Sequence, residues 1–123
     1  MDAIERVREF CATWPALDKD RVVAYFTDDA VYRNLPFPGE TIGGPAIANV
    51  LLGAFMSRMA SVEVTVHHVA SDGLVAFAER TERFVPKEGE PFELPVVGVF
   101  EMRGDRFCAW RDYFDQSHWR LPT

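Results

Sequence analysis

The spacing of turn signals after residue 60 constrains this chain more than any other feature. "SDG" at 71–73, "PKEGEP" at 86–91 and "RGD" at 103–105 divide the second half into extended runs at 61–70, 74–85, 92–102 and 106–115. Turns at this spacing specify an antiparallel meander. The first half follows a different period. Ile4, Val7, Phe10, Cys11 and Trp14 recur at helical spacing until Pro15. Asp18 offers an N-cap for a second helix through Phe26, with Val22, Val23 and Phe26 as its stripe. "TDDAVYRN" predicts a turn and a short strand at 31–34, and Pro45 opens a third helix to about Met59. That helix is apolar on nearly every side (Ile47, Val50, Leu51, Leu52, Phe55, Met56), which predicts burial. Helices followed by strands make an α+β class: three N-terminal helices on one curved, mainly antiparallel sheet, in a single domain over 1–123.

Composition excludes several functions. The net charge of −6 argues against a nucleic-acid backbone or an anionic membrane surface as partner. "MDAIERVREF" alternates acids and bases, unlike a signal peptide, and no apolar run reaches the ~20 residues of a membrane span. A cytoplasmic location is expected. Cys11 and Cys108 have no metal-ligand spacing and are read as free thiols. His67 and His68, adjacent in a strand, should point to opposite faces, with His68 on the apolar wall beside Val62, Val64 and Val66. G-x-S-x-G, H-E-x-x-H, P-loop and G-x-G-x-x-G motifs are absent.

Strand parity then exposes a conflict. One face of 74–84 carries Leu74, Ala76, Ala78, Arg80, Glu82 and Phe84; one face of 92–100 carries Phe92, Leu94, Val96, Gly98 and Phe100. In the last strand, Cys108, Trp110, Asp112 and Phe114 share a face. Two carboxylates and an arginine therefore sit in an apolar concavity, and Ala76, Ala78 and Gly98 leave volume there for a pocket. Burying unpaired charge is costly, so these groups must pair or take up a proton. An ion-pair network that only holds register would look similar. Two acids on one arginine, however, titrate together and supply a base and an acid in one site. The opposite face, with Val75, Phe77, Val97 and Val99, is too apolar for open water and predicts a homodimer through the outer sheet face.

"VYRNLPFP" at 31–38, "ERTE" at 79–82 and "GVF…WRDYFD" at 98–115 resemble the limonene epoxide hydrolase family, within the nuclear-transport-factor-like, cone-shaped α+β roll that also holds ketosteroid isomerases and polyketide cyclases. The resemblance implies one-step hydrolysis of a small hydrophobic epoxide to a vicinal diol, with no metal, cofactor or covalent intermediate. By position, Asp112 is the base acting on water, Tyr32 and Asn34 hold that water, Arg80 bridges the acids, and Glu82 stands where the family usually has an aspartate acid. Leu74, Phe84, Phe92, Leu94, Val96, Phe100, Trp110 and Phe114 are the expected substrate wall. The alternatives are isomerase- or cyclase-like proton transfer on the same scaffold, and a non-catalytic small-molecule-binding dimer.

Overall fold

The computed structural model describes residues 2–121, apart from the side chains of Leu51 and Leu52, so their place in the apolar helix lies outside the described residues. Helix α1 (Ala3–Thr13) starts where Asp2 accepts the Glu5 amide at 2.8 Å. Its apolar stripe buries Val7, Phe10 and Cys11. Phe10 is the hub: its ring meets Trp110, Phe107 and Phe26 edge-on, with centroids at 5.1, 5.2 and 5.6 Å.

The second helix is shorter than its stripe suggested. Asp18 caps it as expected, by accepting the amides of Asp20 and Arg21, but α2 spans only Lys19–Val23. Sheet pairing takes over, because the Phe107 amide donates to the Tyr25 carbonyl at 2.8 Å and Phe26 pairs with Phe107. Among the described residues, two long helices therefore accompany the sheet, not three. The early strand is correspondingly longer: β1 runs Phe26–Asn34, with an irregularity between Phe26 and Val31 where a turn was expected.

After the short β2 (Thr41–Ile42), α3 (Gly44–Ile47) begins at Pro45 and widens into a π-helical stretch over Ala48–Phe55 before a tight turn at Met56–Arg58. This helix is not buried all round. Ile47 and Met56 enter the core, but Val50 is 52% exposed and, with Ala54 and Phe55, faces a cavity. That second apolar face explains a helix greasy on every side.

Strands β3 (Met59–Ser71), β4 (Val75–Pro86), β5 (Phe92–Arg103) and β6 (Arg106–Phe114) form the meander, and the sheet order is β2-β1-β6-β5-β4-β3. All pairings are antiparallel except β1 with β6, which run parallel and bring the early strand beside the last. Two bulges shift parity from the expectation. One between Val66 and His68 turns both histidines outward, where His67 Nε2 meets Thr81 Oγ1 at 2.8 Å and His68 lies 4.0 Å from Glu79. The other, opposite Glu101/Met102, replaces Cys108 on the inner face with the fully buried Phe107. Both cysteines are free. Among the described residues, no helix is long and apolar enough to cross a membrane.

Candidate active site

Arg80 and Glu82 stand on β4, Asp112 on β6, and β5 lies between them. The register aligns Ala78 with Gly98 and Gly98 with Asp112, so Arg80 reaches its partner by crossing over Gly98. Arg80 Nη2 donates to Asp112 Oδ2 at 2.6 Å and to Glu82 Oε1 at 3.4 Å. Trp110 Nε1 donates to Asp112 Oδ1 at 2.7 Å. All three charged residues are buried, with exposures of 2%, 7% and 4% for Arg80, Glu82 and Asp112. The guanidinium carbon lies 5.8 Å from the ring centroids of both Phe100 and Trp110, which cushions the cation. Arg80 Nη1 has no hydrogen-bond partner among the described residues.

Gly98 makes this crossing possible. A methyl group there would meet Arg80 Nη1 at 2.4 Å, Asp112 Oδ1 at 2.8 Å and Phe100 Cε1 at 2.9 Å. The volume that sequence parity assigned to a ligand at this position is filled by the arginine. Ala76 and Ala78 likewise belong to the packed core, not to the cavity.

The two acids differ in their support. Burial, with the Asp112 charge adding to it, pushes Glu82 up to about 7 against the opposing pull of Arg80. Burial also raises Asp112, opposed by its charge attraction to Arg80 and by hydrogen bonds from Arg80 and Trp110. Asp112 holds two short donors and Glu82 one long one, so their shared proton belongs on Glu82 and the negative charge on Asp112. The parallel pairing sets Asn34 beside Asp112 and Tyr32 beside Trp110. Tyr32 donates its hydroxyl to Asn34 Oδ1 at 2.9 Å, and burial together with the nearby carboxylates holds that hydroxyl far above its usual ionisation range. The bond occupies the Asn34 oxygen and leaves its amide nitrogen as a donor.

These groups open onto a cavity of about 570 Å³ whose walls include Tyr32, Asn34, Glu82 and Asp112. Of the expected wall, Phe84, Leu94, Trp110 and Phe114 line it. Leu74 does not: Asp72 accepts the amides of Leu74 and Val75 in the turn, and Leu74 is 70% exposed. Phe100 lies beneath Trp110 in a stacked pair at 5.6 Å, and Phe92 and Val96 are buried but border other hollows. Parity along single strands missed the rest of the wall. Trp14 directly follows α1, Phe37 lies in the loop after β1, Phe55 ends the widened helix, Arg58 ends the tight turn after it, and Gln116 and Trp119 come from the C-terminal segment. Only the aromatic content of those segments hinted at them. Among the described residues, no cluster of three or more His, Cys, Asp or Glu could hold a metal ion.

A family model for the limonene-1,2-epoxide hydrolase catalytic domain matches residues 1–119. The chain is 36% identical over 100 residues to epoxide hydrolase EphG of Mycobacterium tuberculosis (strain ATCC 25618 / H37Rv), a match covering 80% of this chain and 63% of that protein. The chain thus spans less than two thirds of the curated relative's length. Among solved structures it is similar to an M. tuberculosis LEH-like epoxide hydrolase, with a TM-score of 0.81 and 34% identity over 94% of this chain and 84% of the other. It also resembles a protein of ketosteroid isomerase-like fold from Catenulispora acidiphila, with a TM-score of 0.83 over 93% and 88% of the two chains. At 20% identity, that likeness is one of fold alone.

Proposed function

We propose that this chain, which belongs to the limonene-1,2-epoxide hydrolase catalytic-domain family, turns a small hydrophobic epoxide into a vicinal diol by one-step, acid- and base-assisted attack of water. The observation that carries the reading is the convergence of Asp112, Arg80 and Glu82 in one buried site beside Tyr32 and Asn34. Asp112 takes a proton from water while Asn34 and Tyr32 orient it. The water oxygen bonds to one epoxide carbon, the C–O bond to that carbon breaks, and Glu82 gives its proton to the departing oxygen. The acids exchange protonation states, so the net charge of the buried site is the same before and after. That constancy matters where uncompensated charge costs several kcal/mol. A positioned proton donor and base are each worth about 100-fold or more. The aromatic wall binds the apolar substrate and excludes bulk water.

Single turnover in isotopically labelled water tests the scheme. Label should enter the diol and never the protein, and Asp112→Asn should abolish turnover. Label recovered on a carboxylate, or full activity in Asp112→Asn, would refute it. The partner reading extends to a homodimer through the outer sheet face, where Phe77, Val97 and Tyr113 are 46%, 39% and 46% exposed. Phe77→Glu should then sediment as a monomer; a wild-type monomer would remove that reading.

A further inference from the structure

We infer that Trp119 sets the upper length of the substrate, as a partition between the catalytic cavity and a second hollow beside it; this rests on the epoxide-hydrolase reading above. The second hollow, about 730 Å³, has an apolar wall of Pro86, Phe92 and Leu121 facing charged Lys87, Glu88 and Glu90. Arg58 lines both spaces. Trp119 lines the catalytic cavity, whereas the next two residues line the other, so the C-terminal segment runs between them.

The attachment of Trp119 fits a plug. Its ring packs against Phe37, Phe55, Phe84, Phe92 and Phe114, with centroids 5.8 to 6.2 Å away. Phe92 belongs to the second hollow and Phe84 and Phe114 to the first, so the indole bridges the two linings. Its Nε1 is buried with no acceptor among the described residues. A buried N–H without a partner is unfavourable, so hydrogen bonding does not hold this side chain. What the indole contributes here is bulk. The indole is half-buried between the two linings, so truncating it would remove the bulk that separates them and join the two spaces. An apolar tail running from an epoxide at Asp112 and Glu82 could then pass Arg58 into the second hollow.

The test compares chain-length profiles for 1,2-epoxyalkanes in turnover and for 1,2-alkanediols in calorimetric binding. In the wild type, kcat/KM and diol affinity should rise with chain length and then drop. Trp119→Ala should move the drop to longer chains and raise the long-to-short kcat/KM ratio by roughly tenfold or more, the scale of discrimination for apolar groups in a pocket. Trp119→Leu, which keeps an apolar plug for folding, should shift it in the same direction. Trp119→Phe, which removes only the N–H and some bulk, should keep the wild-type limit. An unchanged diol profile in the folded Ala or Leu variants overturns the partition, as does a failure of every variant and the wild type to bind diols. If no epoxide is turned over while the diol profile shifts, the partition stands and the hydrolysis reading falls.

Discussion

Gly98→Ala adds one methyl group at the point where Arg80 crosses β5. That carbon would lie 2.4 Å from Arg80 Nη1, 2.8 Å from Asp112 Oδ1 and 2.9 Å from Phe100 Cε1. Ordinary contacts to carbon begin near 3.4 Å, so the guanidinium must retreat by about 1 Å, and it is fully enclosed. Overpacking of this kind costs about 1–3 kcal/mol of stability. The catalytic loss should be larger, because a displacement of about 1 Å can cost ~100-fold in rate. Retreat would stretch the 2.6 Å bond to Asp112 and leave its carboxylate less compensated, so the acidic limb of the pH–rate profile should move upward. Denaturant unfolding and kcat/KM against pH measure both effects. A cycle with Arg80→Ala identifies the cause: Gly98→Ala should cost less stability once the arginine is gone. Wild-type rate and an unshifted profile in Gly98→Ala would refute the reasoning.

Other expectations follow from the same geometry. Between 4.5 and about 7, folded Glu82 keeps a proton that the unfolded chain releases, so its contribution of about 3 kcal/mol is present at low pH and lost as pH rises through that window; Glu82→Gln should flatten that part of the stability–pH curve. Activity that needs the Glu82 proton should fall above about pH 7, which a pH–kcat profile checks. Trp110→Phe removes the 2.7 Å bond to Asp112 Oδ1, so kcat should fall with an upward shift of the acidic limb of the pH–rate profile. Phe10→Ala, which removes the ring at the hub of the aromatic core, should cost about 3–5 kcal/mol in denaturant unfolding.

Parity was legible because the inner positions from Ala76 to Phe84 on β4 and from Phe92 to Phe100 on β5 are all buried; it placed Arg80 and Glu82 on β4, and the same alternation on β6 placed Asp112. It failed where the backbone departs from a period of two. The bulge near His68 turned a supposed wall residue outward, and the one opposite Glu101/Met102 exchanged Cys108 for Phe107. Local helical pattern overran α2 because nothing near Phe26 in sequence announces its distant partner Phe107. The parallel pairing of β1 with β6, which sets Asn34 beside Asp112, is likewise a long-range fact with no local signature. Small residues misled in a different way: Gly98 reads as an empty site, yet it is space reserved for a side chain two residues along the neighbouring strand's register.

The claim on which the scheme turns is that Glu82 keeps the proton, and Asp112 the charge, up to about pH 7. Isotope-edited infrared titration of the Glu82 carboxyl reads this directly, with Glu82→Gln as the blank. A protonated carbonyl band persisting to about pH 7 and absent from the blank is the predicted result. A band already lost at the ordinary glutamate value of 4.5 would contradict it.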